Sequence, residues 1–473
     1  MAPFALLLCA GFVLFLLWIE WRASRYISLT VWIPTFWIMV MSSRPLGLWF
    51  QFDNKSPGGG NEGGSPLDRW TFTALAILAV IVLVRRRFDW CGSLRRHKWL
   101  VAVLAYMFVS TFWSDIPSIA LRRWVRETLV LVMAFCLMSE ADPRQALAAV
   151  LRRTAYVLVP LSIVLIKYYP EFGRAYGRFS GIQMWTGVTC QKNELGRMCM
   201  ISTLFLLFAL YVRWRESQRG RRLRDQAWAD GGIVLLAMYL LVESHSSTSL
   251  TTFILGVAFL FGLQGFRRLK LMVPRTGLVV LAIVLMVFGV VTPFLGGANI
   301  AGFTSTLGRD TTLTGRTEVW ADVIPAWRKE PVLGYGLGSF WTDSRRQLYD
   351  IPTAHNGYLD ILLELGEVGL AFYAIWILSC SRSLHRALHH DYDWASLGIC
   401  LLFVGLVYNL TESALNSFTE EMTTVATLAV IVAGSHSESI KSKVQILAPA
   451  TTLGNQVGLL LGQNSDQIAE EET

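Results

Sequence analysis

One histidine in this sequence stands where a general base would be useful. The stretch TAHNGYLDILLELGEVGL, residues 353–370, places His355 and Asn356 directly before an apolar run of helical character. An imidazole titrates near neutral pH and is therefore the usual side chain for taking a proton from a hydroxyl group. Asn356 either caps the first turn of the helix or holds a substrate. His355 is thus a candidate base, although a single histidine at a helix start is more often structural than catalytic.

Cations suited to a phosphate group occur in two other stretches. Arg316 lies in LTGRTEVW, residues 313–320, between a glycine and an amphipathic run. A guanidinium group is planar, permanently charged and able to bind a phosphate through two nitrogens. Lys192, in CQKNELG at residues 190–196, would supply a second charge for a pyrophosphate. The simpler alternatives are that Arg316 pairs with a lipid headgroup or an acidic residue, and that Lys192 only marks the boundary of its helix.

The helix that follows His355 is predicted to hold the histidine in place. At 100° per residue, five positions fall within about 80° of one another on one face of a continuous helix. They are His355, Leu359, Leu362, Gly366 and Gly369. Glycine on a helix face lets a neighbouring helix approach closely. We therefore expect a single stripe with the histidine at its top and a tightly packed neighbour against the two glycines.

The composition indicates a membrane protein. The chain of 473 residues is 53% hydrophobic with 18 tryptophans and has a mean hydropathy of +0.45. The net charge of +8 does not indicate a nucleic-acid partner, because the positive residues lie between apolar runs, where membrane topology requires them. The 7 cysteines form no pair with metal-ligand spacing, so no metal site is predicted. The expected fold class is an all-α polytopic membrane protein.

Apolar runs long enough to cross a bilayer recur along the chain, and about 12–13 transmembrane helices are expected. Thirteen candidate spans lie near residues 4–19, 26–41, 70–84, 99–113, 124–139, 154–169, 195–212, 231–243, 248–264, 276–292, 357–380, 396–410 and 422–435. The connection 293–356 is far longer than topology requires, and such loops are usually functional or disordered. Its tryptophans and apolar residues at helical spacing predict a large, partly helical outer-face loop.

The arginine-rich connections set the predicted orientation. Residues 85–98, 213–224 and 266–275 carry dense positive clusters and should face the cytoplasm under the positive-inside rule. Alternation of the spans then puts the N-terminus and the loop 293–356 outside and the C-terminus inside. His355 closes that loop, so it is expected at the outer boundary between membrane and water.

Four regions follow from this reading of the chain. Residues 1–180 are predicted to form an N-terminal transmembrane bundle, and residues 181–380 a core that includes the outer loop. Residues 381–436 would add the last transmembrane helices. The polar tail 437–473 has no strong periodicity, and we expect it to be disordered in the cytoplasm.

The motif around the histidine resembles a known family. HNGYLDILLELGEVG, residues 355–369, fits the pattern His-[Asn/Ser/Gln]-x9-Gly-x-x-[Gly/Thr/Tyr] of the bacterial O-antigen ligase and polymerase superfamily. Three further stretches resemble the same superfamily in the same order: TGVTCQKNELG at 186–196, GRTEVW at 315–320 and PVLGYGLGSF at 331–340. The resemblance covers roughly residues 180–380, and four motifs in order are more specific than the histidine motif alone.

The resemblance implies a metal-independent glycosyl transfer without a cofactor, at the outer (periplasmic) face of the bacterial cytoplasmic (inner) membrane. The donor would be a glycan on a polyprenyl (undecaprenyl) pyrophosphate lipid, whose pyrophosphate is already a good leaving group. His355 would deprotonate the acceptor hydroxyl, and Arg316 would bind the pyrophosphate and stabilise its developing charge. The residues expected to bind substrate are Lys192, Asn193, Asn356, Arg178 and Arg309.

The sequence departs from the family at one position. Family members commonly carry a basic residue in the short outer turn that here reads SHSSTSL, where this chain has Ser247, with His245 two residues earlier. Either another cation such as Arg178 or Arg197 replaces it, or the donor is held differently. The departure also leaves open an inactive relative.

Several activities fit the resemblance. KNELG followed by a serine-rich turn resembles polymerases of exopolysaccharide type, which join repeat units to one another, so polymerisation is favoured. A ligase would instead transfer a finished glycan to lipid A-core, giving lipopolysaccharide, or to protein. The partners expected are the lipid-linked donor, the glycan or lipid A-core acceptor, membrane lipids and a chain-length regulator, with no nucleic acid. The alternative from another class is a transporter of lipid-linked sugars, although mid-span charges and repeated halves typical of transporters are not apparent.

Overall fold

Helices make up most of the part of the chain that the computed structural model describes, namely residues 1–24, 26–50, 65–176, 181, 183–218, 226–295, 316–349 and 351–434. The first half contains α1 (Ala2–Ala23), α2 (Trp32–Met41), α3 (Leu46–Trp49), α4 (Pro66–Arg85), α5 (Trp90–Arg96), α6 (Lys98–Ser110), α7 (Pro117–Met138), α8 (Pro143–Tyr168) and α9 (Pro170–Gly173). The second half contains α10 (Lys192–Ser217), α11 (Gln226–Glu243), α12 (Ser247–Arg268), α13 (Arg275–Val291), α14 (Arg316–Trp327), α15 (Asp343–Tyr349), α16 (Gly357–Ala387), α17 (Tyr392–Tyr408) and α18 (Glu421–Gly434). The remaining elements are 3-10 turns at Leu29–Val31, Thr111–Trp113 and Thr292–Leu295 and two short strands, β1 (Arg174–Tyr176) and β2 (Gln183–Trp185).

The expected fold class, an all-α polytopic membrane protein, is confirmed. Within the described ranges, 8 helices are long and apolar enough to cross a membrane, and four shorter apolar helices accompany them. Each of the thirteen predicted spans falls on one of these helices or on α7. Helix α7 has 22 residues and is not among these 8, since its first half carries Arg122, Arg123 and Arg126. The tail 437–473, predicted to be disordered, lies outside the described residues.

A small hairpin shapes the segment between α8 and α10. Strands β1 and β2 pair antiparallel, with Ala175 opposite Met184. Arg44, which follows α2 and is 8% exposed, donates to the carbonyls of Gly187 at 3.2 Å and Thr189 at 2.9 Å. These bonds fix the residues that lead into the start of α10.

Helix α16 is broken at Gly366, so the predicted continuous stripe is wrong. Gly366 has φ 65° and ψ −168°, a conformation outside the helix and one that side-chain-bearing residues rarely adopt. The break frees backbone groups that pair with residues 331–336 of the connection between α13 and α16. The amides of Tyr335 and Gly336 donate to Leu363 at 3.0 Å and Glu364 at 2.8 Å, and the amide of Glu367 donates to Pro331 at 2.9 Å.

Gly366 and Gly369 of the motif therefore have different structural roles. A Cβ on Gly366 would lie 2.2 Å from the carbonyl oxygen of Val332, so this glycine admits a loop rather than a helix. At Gly369 a Cβ would lie 3.2 Å from a ring carbon of Tyr106 on α6, as expected for close helix packing. The Tyr106 hydroxyl also donates to the Leu365 carbonyl at 2.9 Å, one of the groups released by the break.

The described part of the long connection 293–356 folds against the first half of α16. A separate apolar cluster joins α14 and residues after it to this half-helix; its members are Trp320, Val323, Phe340, Trp341, Ala354, Leu359 and Leu363. The prediction of a partly helical loop is thus confirmed for residues 316–349, which contain α14 and α15. This cap lies directly beside His355.

Replacing Gly366 tests the break. Gly366→Ala places a methyl group against the Val332 carbonyl in a left-handed conformation, so we expect a loss of at least about 2 kcal/mol in the free energy of unfolding. The control is Gly262→Ala on α12, where a Cβ would meet nothing within 4 Å. Thermal unfolding of the purified variants in detergent measures both. Equal melting temperatures for the two variants would contradict the strained break.

Candidate functional site

One carboxylate joins three of the predicted site residues. Glu412 accepts a hydrogen bond from Arg316 Nη2 at 2.5 Å and from Asn193 Nδ2 at 2.8 Å, both on Oε1. Its other oxygen, Oε2, lies 3.3 Å from His355 Nδ1. The side chains of Glu412, Arg316 and His355 are 9%, 14% and 25% exposed, so the cluster is recessed and reaches solvent mainly at the histidine.

The connection between α17 and α18 places Glu412 beside the start of α16. The amide of Gly357 donates to the backbone carbonyls of Asn409 at 3.0 Å and Glu412 at 3.1 Å. The Asn409 side chain in turn accepts from the amides of Ala414 and Leu415, which folds the connection into a tight turn. A Cβ on Gly357 would lie 2.1 Å from Asn409 Oδ1, so glycine is needed for this approach.

His355 is held through the residue before it. The Ala354 amide donates to Asp360 Oδ1 at 3.1 Å, and the Ala354 carbonyl accepts from Trp320 Nε1 at 2.9 Å. Asp360 Oδ1 also accepts from Trp341 Nε1 at 2.8 Å. His355 itself has φ 51°, a left-handed conformation that persists in non-glycine residues only when the surroundings impose it. The fixed backbone of Ala354 supplies that constraint.

Asn356 caps α16. Its Oδ1 accepts from the amides of Tyr358 at 3.0 Å and Leu359 at 2.9 Å, while Nδ2 donates to the carbonyls of Gly289 and Leu410. The side chain is 0% exposed, so its polar atoms are engaged within the protein. These contacts correspond to the capping interpretation of Asn356, one of the two that its position in the sequence left open.

The start of α10 brings the second predicted stretch to the site. Asn193 reaches Glu412, and Lys192 precedes it at the first turn, half-buried and without an ion pair among the residues that the structure describes. Burial, together with Glu194, raises the pKa of the Cys190 thiol to about 12 despite the nearby Arg44. Cys190 is therefore a neutral packing residue at neutral pH.

The serine-rich turn lies beside the cluster. Thr411, next to Glu412, donates from its hydroxyl to Thr248 Oγ1 at 3.2 Å, and a Cβ on Gly196 would lie 2.8 Å from Ser246 Cβ. Arg197 is 8% exposed and pairs with Glu420 at 2.8 Å. Its guanidinium pairs with Glu420, whereas the Arg316 guanidinium pairs with Glu412, so Arg197 lies outside the cluster that contains Arg316.

The structure thus unites His355, Arg316 and Asn193 in one cluster, and Lys192 directly precedes Asn193 on α10. Arg178 and Arg309, also predicted to bind substrate, lie outside the described residues. The sequence reading missed Glu412. One sequence feature could have identified Glu412 as a site residue: it lies in the short segment between the last two predicted spans, which the predicted topology puts on the same side of the membrane as His355.

The arrangement can take up a proton. An ionised carboxylate is only an acceptor, so with Glu412 ionised, His355 Nδ1 donates to it and Nε2 keeps the free lone pair. When Nε2 gains a proton, the carboxylate stabilises the imidazolium, as the third group does in other base–orienter pairs. Across the described ranges, groups of three or more His, Cys, Asp or Glu that would hold a metal ion are absent.

Comparison with known proteins gives two matches. Residues 232–374 match a protein family described as O-antigen ligase; this segment includes Arg316 and His355 but neither Asn193 nor Glu412. The chain is also 26% identical over 331 residues to the exopolysaccharide production protein ExoQ of Rhizobium meliloti (strain 1021), an alignment that covers 66% of this chain and 72% of the relative.

The bond from Trp320 to Ala354 can be removed without emptying the core. Trp320→Phe leaves the Ala354 carbonyl buried without its donor, so we expect faster amide hydrogen exchange over residues 353–358, by about fivefold or more. Trp327→Phe on the same helix is the control, because Trp327 Nε1 has no partner within the described part of the chain. Hydrogen-exchange mass spectrometry compares the two. Matching exchange rates in both variants would show that the bond does not hold this segment.

Proposed function

We propose that this chain, which matches the O-antigen ligase family and an exopolysaccharide production protein, transfers a glycan from a polyprenyl-pyrophosphate lipid and so polymerises polysaccharide repeat units. The observation that carries the proposal is the Glu412 carboxylate, which joins a candidate base, His355, to a candidate phosphate-binding cation, Arg316. A base beside a cation suits a reaction in which a hydroxyl attacks and a phosphate leaves.

In the proposed reaction, His355 Nε2 takes the proton of the acceptor hydroxyl. The acceptor oxygen then forms a bond to the anomeric carbon of the donor, and the bond from that carbon to the pyrophosphate oxygen breaks. The electron pair of the broken bond leaves with the polyprenyl pyrophosphate. Arg316 stabilises this departing charge, and Lys192, which precedes Asn193 on α10, supplies a second positive group. The proton is shared with solvent through the exposed part of His355.

Glu412 is proposed as a positioning residue. It holds His355 through Nδ1 and Arg316 through Nη2, so the base and the cation keep a fixed separation before the donor arrives. The side chains of His355 and Arg316 then lose little conformational entropy when the substrates bind. Asn193 donates to the same carboxylate oxygen as Arg316 and fixes the carboxylate from the side of α10, while buried Asn356 holds the helix start.

The choice of polymerisation rests on the relative named for exopolysaccharide production and on the KNELG stretch at the start of α10. Transfer of a finished glycan to lipid A-core or to protein is the alternative, supported by the family description over residues 232–374. We propose that the reaction occurs at the outer face of the cytoplasmic membrane. Helices α10 and α12 begin beside the cluster and carry Arg215, Arg267 and Arg268 in their last turns, at the opposite end, which the positive-inside rule assigns to the cytoplasm.

The test is transfer by purified protein incubated with the lipid-linked oligosaccharides of its host. His355→Asn should lower the rate by about 100-fold to 10,000-fold, since asparagine accepts no proton. His245→Asn is a matched control: both histidines have positive φ, 51° and 49°, and asparagine tolerates that conformation. A His355→Asn protein that transfers at the normal rate would rule out His355 as the base.

The products of the same reaction distinguish the two activities. Polymerisation gives a ladder of repeat lengths on a gel, absent with His355→Asn. A single shift that appears only after a lipid or protein acceptor is added establishes a ligase instead. A lack of any His355-dependent product, with substrates shown to be intact, would favour transport of lipid-linked sugars.

Glu412→Gln tests the positioning role. Glutamine keeps the size of the side chain but loses the charge that stabilises the imidazolium, so we expect kcat to fall about 10-fold to 100-fold. The KM for the donor should change little, whereas Arg316→Lys should raise that KM, because lysine loses the two-nitrogen contact with phosphate. Steady-state kinetics with varied donor separates the effects. A Glu412→Gln protein with normal kcat would refute the positioning role.

A further inference from the structure

Two exposed arginines lie on the first half of α7. Arg122 and Arg126, called here the arginine pair, are one helical turn apart, and both side chains are exposed. The topology predicted from the sequence puts this half of α7 at the outer end of the bundle, where the positive-inside rule predicts few cations. The cation of the Glu412 cluster is Arg316. The arginine pair is therefore not accounted for by the candidate functional site.

Contacts on the other side of α7 fix the direction in which the pair points. Trp124 Nε1 donates to the Leu104 carbonyl on α6 at 2.7 Å. Glu127 is buried and accepts from the Ser417 hydroxyl at 2.7 Å, in the connection between α17 and α18. Because Trp124 and Glu127 face the protein, the face of the helix that carries the arginine pair is turned outward.

Neither arginine of the pair forms a salt bridge within the described part of the chain. Arg122 donates from Nε to the Ser118 carbonyl at 3.1 Å, which leaves its two terminal nitrogens for another acceptor. The acid next to Arg126 in the chain is Glu127, but both oxygens of its inward-facing carboxylate accept from the connection between α17 and α18. Two guanidinium groups one turn apart favour an anionic ligand.

The length of α7 sets the depth of the pair in the bilayer. The helix packs beside α4, one of the 8 helices that are long and apolar enough to cross a membrane. The apolar part of α7, Leu129–Met138, is about 15 Å long, against about 30 Å for the hydrocarbon layer. For α7 to cross beside α4, its arginine-bearing half must also lie against lipid. A guanidinium at that depth is costly unless a headgroup phosphate approaches it.

Apolar side chains accompany the pair. Leu121 and Val125, which are 43% and 51% exposed, fall with the two arginines within about 140° on the helix. A free phosphate ion would contact only the arginines, whereas a phospholipid would also cover the apolar side chains. We propose that this face of α7 binds an anionic phospholipid of the outer leaflet, with its headgroup phosphate between Arg122 and Arg126 and an acyl chain against Leu121 and Val125. The site does not depend on the proposed glycosyl transfer.

Photo-cross-linking of the full chain tests the site. The protein is reconstituted into phosphatidylcholine vesicles that contain a trace of photoactivatable phosphatidylglycerol or photoactivatable phosphatidylcholine, and mass spectrometry locates the labelled segments. The first half of α7 should be labelled more by the phosphatidylglycerol probe. Arg122→Gln combined with Arg126→Gln should lower the ratio of the two labels there about fivefold or more. Arg122→Lys combined with Arg126→Lys should keep most of the ratio, because the charges remain.

Arg328→Gln is the control, since Arg328 is an exposed arginine that follows α14 on the same predicted side of the membrane; its labelling of α7 should equal that of the wild-type protein. Melting temperatures show that each variant is folded. An unchanged label ratio on α7 in the double glutamine variant would overturn the proposal. Loss of the phosphatidylglycerol label in millimolar inorganic phosphate would also overturn it, because it would assign the pair to a free ion.

Discussion

The candidate site depends on one carboxylate that three other groups share. Glu412 is contacted by an imidazole, a guanidinium and an amide that come from three separate parts of the chain. A carboxylate that is only 9% exposed is costly unless its oxygens are hydrogen-bonded. The site residues meet that requirement themselves, so the same contacts that make the buried charge tolerable also fix the distances between the groups.

Support around this cluster comes from backbone as much as from side chains. Ala354 is bonded at both its amide and its carbonyl by side chains from two helices, and Gly357 is bonded to two carbonyls of the Glu412 connection. His355 lies between these two anchored positions with its backbone in a left-handed conformation. The backbone of the histidine is thus positioned by hydrogen bonds of its neighbours and not by contacts of its own ring.

The sequence allowed the membrane helices and part of the site to be predicted, for different reasons. Apolar runs are a local signal, and all thirteen predicted spans coincide with helices. His355 and Arg316 were recognisable from their residue types and motifs. Glu412 was not, because its partners lie 57, 96 and 219 residues away and no periodicity reports such a distance. The break at Gly366 was missed because the 3.6-residue period assumes a continuous helix. A positive φ angle at one glycine does not change the hydropathy pattern from which the helix was predicted.

The break at Gly366 divides α16 into a first half that carries the candidate site and a second half that is long enough to cross the bilayer. Every residue from Gly357 to Gly366 is buried, and this half-helix is bonded to Tyr335 and Gly336. The remaining residues, Glu367–Ala387, have a length of about 30 Å, enough to cross the hydrocarbon layer alone. Residues 331–336 are bonded on both sides of the break, to Leu363 and Glu364 above it and to Glu367 and Val368 below it, so they join the half that carries the site to the half that crosses the bilayer.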